Sequence, residues 1–143
     1  MIDKFKNFQA QIVPNPLSIE VVKAEGSYIF GKNKKYLDFV AGVSVCNIGH
    51  SNKKVFRAVS KQLKKYSHVM VYGEFIQEPS VNLCELLVRN LPDNLNSVYL
   101  TNSGTEAVEA ALKISKRITG RSKIVSAKNS YHGSTHGSLS VSG

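Results

Sequence analysis

Thiols are scarce in this 143-residue chain: Cys46 and Cys84 are the only two, far apart and matching no metal-ligand spacing. A disulfide scaffold is therefore excluded, and a reduced, cytoplasmic protein is the expectation. Long apolar runs are lacking too. The uncharged stretch Phe39–Asn52 is interrupted by Gly42, Asn47, Gly49 and His50 and is too short to cross a bilayer, so no membrane partner is expected. Asp3, Lys4 and Lys6 precede Phe8 with no apolar block behind them, which argues against a secretory signal. Internal repeats and low-complexity linkers are absent.

Acidic residues are the minority, 10 against 19 basic, for a formal charge of +9. The excess sits in the first half: Met1–Val71 holds 12 Lys and Arg against 4 Asp and Glu, and Tyr72–Gly143 holds 7 against 6. Only four of the basic residues are arginine, and they alternate with no stacking aromatics. The pattern fits a solvated surface, and no nucleic-acid partner is expected; a basic nucleic-acid module is the least favoured alternative. Metal motifs are missing as well. His132 and His136 are four apart, but the glutamate of a zinc helix is not beside them and Gly133 and Gly137 disfavour one, so no metal is expected.

The 42% of apolar residues suffices for one ordinary domain with a core. Val21–Phe39 reads as an antiparallel meander, with turns at Ala24–Gly26 and Gly31–Lys34 between Tyr28–Phe30 and Tyr36–Phe39. A glycine-spaced loop, Ala41–His50, follows. Ser51 or Asn52 then caps a helix with Val55, Phe56, Val59 and Leu63 on one face and lysines on the other. A second helix opens at Pro79, and Pro92 helps to end it. Ser97–Thr101 and Ile124–Ala127 read as strands flanking a helix over Thr105–Thr119 that Gly120 terminates. This predicts a β-α-β unit with parallel strands and a right-handed crossover. Ligands of such sheets gather at the carboxyl ends of the strands, at the loops Asn102–Thr105 and Asn129–Ser134.

Two readings of Ser103–Gly104–Thr105 stay open. Bare amides at a helix start, with Gly104 permitting close approach and two hydroxyls beside it, suit an anion. Alternatively, Ser103 caps the helix and Glu106 completes a capping box. A nucleotide-hydrolase phosphate loop is excluded, because no lysine follows Gly104 in the required place. Tyr131–His132–Gly133 falls after the second strand, where the ring could cover a planar cofactor or simply plug the sheet edge.

The segment Thr101–Gly143, with its NSGTEA, TGR and YHG motifs, resembles the class III aminotransferases, the acetylornithine, ornithine and 4-aminobutyrate group of fold-type I pyridoxal-phosphate (PLP) enzymes. Gly26–Asn52, with YLDF and a Gly-His pair, is similar to the same family's N-terminal segment, and the resemblance runs from about residue 14 to Gly143. It implies an α/β fold: an N-terminal segment over 1–51 and the start of a PLP-binding large domain over 52–143. It also implies a cofactor site at Ser103, Gly104, Thr105, Tyr131, His132 and Gly133. Val43, Ser44, Val45 and Ser134 would lie in the substrate pocket. A homodimer is implied, as are an amino donor and a 2-oxo acid acceptor.

Where acetylornithine and 4-aminobutyrate enzymes usually carry arginine after His-Gly, this chain has Ser134, which cannot grip a carboxylate with two parallel hydrogen bonds. That departure argues against the usual form of an acetylornithine enzyme. The family's Schiff-base lysine and the aspartate that pairs the pyridine nitrogen fall beyond the matched region, and Lys128 is not in that lysine's context. The 143 residues are thus expected to be an N-terminal portion, inactive by itself. The alternative is a non-catalytic scaffold or relic that partners a complete subunit.

Overall fold

A computed structural model describes the whole chain, Met1–Gly143, and divides it into two compact units, Met1–Glu74 and Phe75–Gly143. In the first, helix α1 (Ile2–Phe8) precedes a three-stranded antiparallel sheet of β1 (Val21–Glu25), β2 (Tyr28–Gly31) and β3 (Lys35–Leu37), in the order β1-β2-β3. The meander arises because Gly26 adopts φ +56° in one turn and the Gly31 amide bonds the Lys34 carbonyl at 2.8 Å in the other. Lys35 sits 3.6 Å from the centroid of the Tyr28 ring, so part of the lysine excess is spent covering aromatic faces. Helix α1 has no counterpart in the reading of the sequence.

The loop after β3 is tied back by backbone and by charge. Gly26 and His50 exchange two main-chain hydrogen bonds, of 3.0 and 2.8 Å. Their neighbour Gly49 has φ +81°, and a Cβ there would meet the Gly26 backbone at 3.3 Å, a close approach that favours glycine. Asp38 holds the other side of the loop. Its Oδ1 accepts from the amides of Val40 and Ala41, at 3.0 and 2.9 Å, while Oδ2 lies 2.6 Å from His50 Nε2. Between these anchors lies a short helical turn, α2 (Ala41–Ser44), in which Ala41, Gly42, Val43 and Ser44 all have φ between 49° and 67°. Helix α3 (Lys53–Lys65) then starts at Asn52, whose side chain accepts from the amides of Lys54 and Val55.

The hydrogen bond with His50 and then the Ala41 amide hold the Asp38 carboxyl below the usual aspartate range. A carboxyl that ionises more readily when folded stabilises the fold fully above its unfolded value, about 3.9, and loses that contribution as pH falls through the lower folded value. Urea midpoints of the intact protein carrying this sequence and of its Asp38→Asn variant are therefore expected to differ at about pH 6 and to converge towards about pH 3. A constant gap across that range counts against the pair as the anchor.

The second unit is helical over the two segments where the sequence predicted helices, and it has a third, short helix across Gly137 that the sequence did not predict. Helix α4 (Glu78–Val88) carries Pro79 in its first turn, α5 (Gly104–Thr119) ends on left-handed Gly120 at φ 68°, and α6 (His136–Ser140) follows the Tyr131 loop. The flanking strands require a correction. Ser97–Thr101 and Ile124–Ala127 join no ladder, and no main-chain hydrogen bond links one to the other. An apolar run with strand propensity reports a wish for burial; it does not name the neighbour, and in a parallel sheet that neighbour can come from a remote part of the chain. Val125 is accordingly 96% exposed.

The whole chain shows the same deficit. Its accessible surface is 12791 Å², no apolar side chain is fully buried, and the one side chain wholly out of solvent is the hydroxyl of Ser138. Two separate globular bodies sharing this mass equally would expose about 8,800 Å² between them. The excess of about 4,000 Å² is some five times what one partner gives up in a standard interface of about 800 Å² per side.

Candidate functional site

Helix α5 begins at Gly104 because Ser103, in extended conformation (φ −152°, ψ 159°), caps it: the Ser103 hydroxyl accepts from the Glu106 amide at 3.3 Å. The Glu106 carboxylate turns back to accept from the Asn102 amide at 2.8 Å, one residue earlier than a standard capping box. The Ala107 amide bonds the Ser103 carbonyl, but those of Gly104 and Thr105 donate to no acceptor in the chain. The two readings of this bend are therefore compatible. Capping uses a lone pair of Ser103 and one amide, which leaves two amides and the Ser103 hydroxyl proton facing outward at the positive end of a 16-residue helix.

Gly104 and Thr105 line a cavity of about 460 Å³ together with Val108, Tyr131, His132, Gly133 and Ser134. The volume is within the range of about 300–1,000 Å³ usual for small-ligand sites. Tyr131 is 78% exposed, so its ring is available to a ligand instead of serving the interior. His132 is half-buried, and its amide donates to Ser142 Oγ at 3.0 Å. Of the residues singled out in the sequence, Ser103 is the helix cap and is not part of the cavity's lining, while Gly104, Thr105, Tyr131, His132, Gly133 and Ser134 meet at this cavity. Val43 and Ser44 belong to the other unit, in α2, with Val45 closing that turn.

Sequence reasoning passed over the side chains that hold the two loops together. Glu109 lies one turn below Thr105 on α5. Its Oε1 accepts from the Thr135 hydroxyl at 2.6 Å, the Gly137 amide at 2.8 Å and the Ser138 amide at 3.1 Å. Helix α6 is thus capped by a carboxylate from another helix, since Thr135 makes no cap bond of its own. The Thr135 hydroxyl, followed by the Ser138 amide, holds the Glu109 carboxyl below the ordinary glutamate range. Thr105 Oγ1 is 2.7 Å from Thr135 Oγ1 and 2.6 Å from Ser138 Oγ, so the first turn of α5 is stitched to the segment after Tyr131. Gly133 passes through the seam at φ +132°, and a Cβ there would lie 2.5 Å from Thr105 Cβ and 2.7 Å from Ser138 Oγ. Thr105 and Glu109, four apart, share one face of α5, but no sequence spacing points from that face to residues 135–138.

The family profile of aminotransferase class-III matches residues 8–143. The chain belongs to the class-III aminotransferases. Among relatives of this class-III chain, the [LysW]-aminoadipate semialdehyde/glutamate semialdehyde transaminase of Sulfurisphaera tokodaii is 41% identical over 128 residues, which cover 86% of this chain and 32% of that one. The acetylornithine aminotransferase of Bacillus anthracis is 39% identical over 128 residues, covering 88% and 32%. The chain thus spans about a third of the length of the relatives it matches. A solved structure of taurine:2-oxoglutarate aminotransferase from Bifidobacterium kashiwanohense, in complex with PLP and glutamate, superposes with a TM-score of 0.91 at 27% identity, over 99% of this chain and 32% of its own. The fold is that of fold-type I PLP-dependent transaminases, and the class-III family in general works with PLP. No helix is long and apolar enough to cross a membrane.

Proposed function

We propose that this chain is the N-terminal portion of a PLP-dependent aminotransferase that moves an amino group from an amino acid or amine to a 2-oxo acid. The observation that carries this reading is the pair of unsatisfied amides at Gly104 and Thr105, opening onto the cavity that Tyr131 walls. The residues fit the cofactor: a dianionic phosphoryl group matches two amides, the Ser103 and Thr105 hydroxyls and a helix dipole. The Tyr131 ring is free to cover a pyridine ring, with His132 and Gly133 shaping the same wall. PLP, when bound, supplies an electron sink for the carbon that exchanges its amino group.

The chain's own contribution is to hold and orient. Ser134 lines the cavity with one hydroxyl and no charge, so it can hydrogen-bond a substrate but cannot clamp a carboxylate as arginine does. That supports donors bound without a carboxylate grip at this position, such as amines and ω-amino acids. Val43, Ser44 and Val45 are assigned to the substrate pocket on family grounds. The further polypeptide that relatives possess is proposed to cover the excess surface and to bring the lysine that anchors PLP, in a cytoplasmic homodimer. Cys46 and Cys84, both free, fit that compartment.

Titrating the intact protein with PLP, while the amide resonances of Gly104 and Thr105 are followed, is expected to give saturable shifts, with donor-dependent turnover of a 2-oxo acid. Unmoved resonances in folded protein overturn the reading.

A further inference from the structure

Three donors converge on one oxygen of Glu109: the Thr135 hydroxyl and the amides of Gly137 and Ser138. A carboxylate only accepts, so the single hydroxyl proton of Thr135 is committed to it and Thr135 Oγ1 is left to accept in turn. Thr105 Oγ1 lies 2.7 Å away, on the cavity side. Ser138, wholly buried, also reaches Thr105 at 2.6 Å and the Thr135 carbonyl at 3.1 Å. The Ser138 proton goes to the Thr135 carbonyl, which leaves Ser138 Oγ, like Thr135 Oγ1, to accept from Thr105. The Thr105 hydroxyl is therefore the member of the cluster on the cavity side whose proton can turn between the network and a ligand.

The same contacts fix the segment that carries Gly133. Its backbone runs against Thr105 so closely that no side chain fits between them. Loss of the Glu109 acceptor leaves the Gly137 and Ser138 amides unpartnered and frees the Thr135–Ser138 turn to move, and the wall formed by Tyr131–Gly133 moves with it.

We propose that Glu109 is a positioning residue of the anion cradle, holding the Thr105 hydroxyl and the Gly133 loop in register through Thr135 and Ser138. The inference rests on the functional reading above only in taking the cradle's ligand to be a phosphoryl group. Glu109 touches neither cofactor nor substrate in this role.

The test uses inorganic phosphate as the probe, with the intact protein and the amide resonances of Gly104 and Thr105 as the readout. Glu109→Met keeps the bulk and removes the acceptor; phosphate affinity is expected to fall about tenfold, the loss of one hydrogen bond to a charged group. Glu109→Gln can present its amide oxygen to all three donors, and is expected to restore affinity to within about twofold of the parent. Thr135→Val is expected to match Glu109→Met, and the double variant to be no weaker than the weaker single one, because both break one chain of contacts.

Parental affinity in Glu109→Met overturns the proposal, as does additivity of the two losses. Should Glu109→Met fail to fold, Thr135→Val against Thr135→Ser decides: equal phosphate affinity in those two overturns it, and loss in valine alone supports it. Binding of phosphate without PLP would sink the aminotransferase reading while leaving this inference to the same variants. Binding of neither overturns both.

Discussion

Gly133→Ala is expected to weaken PLP binding by the intact protein on the order of a hundredfold and to lower its stability by about 2–4 kcal/mol. Two effects add. A Cβ at position 133 collides with Thr105 and Ser138, both of which are fixed by further hydrogen bonds and cannot swing aside without breaking them. The residue also sits at φ +132°, a conformation that side-chain-bearing residues rarely adopt. The collision partner Thr105 supplies one of the two free amides, so relief of the clash must distort the cradle. Cofactor absorbance titration and urea unfolding check the two parts separately. Parental affinity in a destabilised variant would show that the seam serves the fold alone.

A polypeptide of residues 1–143 prepared alone is expected to show no transamination above buffer and to sediment as species larger than a monomer at micromolar concentration. The physical ground is the roughly 4,000 Å² of surface beyond what two globular bodies of this mass expose. Both outer strands of the sheet are unpaired on one side, and Val125 and Ile118 stand 96% and 79% exposed. Edges and patches of this kind pair with whatever is present. Analytical ultracentrifugation together with a coupled assay of an amine donor and a 2-oxo acid reads both halves. A monodisperse monomer with cooperative unfolding, or measurable turnover, would contradict the expectation.

Local elements were legible in the sequence because their signals are local. The meander followed from glycine-bearing turns, α3 from Asn52 and a periodic apolar face, and α5 from Ser103 at one end and Gly120 at the other. Pairing of Ser97–Thr101 and Ile124–Ala127 was not legible, since a parallel strand's neighbours are set by topology. At the candidate site, Ser103–Thr105 and Tyr131–Gly133 were readable from where they fall between elements. Glu109, Thr135 and Ser138 were not, although each is an ordinary polar residue at an ordinary position. Their importance comes from convergence: a helix-facing carboxylate meets amides 28 and 29 residues away, a juxtaposition that sequence spacing does not encode.

The turn Ala41–Ser44 carries a different consequence. For four residues the backbone winds with the opposite hand from every other helix in the molecule, and three of the four bear side chains. Chirality therefore inverts the usual rules of replacement there. Glycine, costly inside ordinary helices, becomes the relaxed choice at Val43 or Ser44, and a mirror-image amino acid introduced by chemical ligation finds a backbone already shaped for it. Keeping valine and serine in that turn means the chain tolerates conformational stress beside its Asp38–His50 anchor, and any homologue-guided redesign that smooths it trades this tension for a slacker loop.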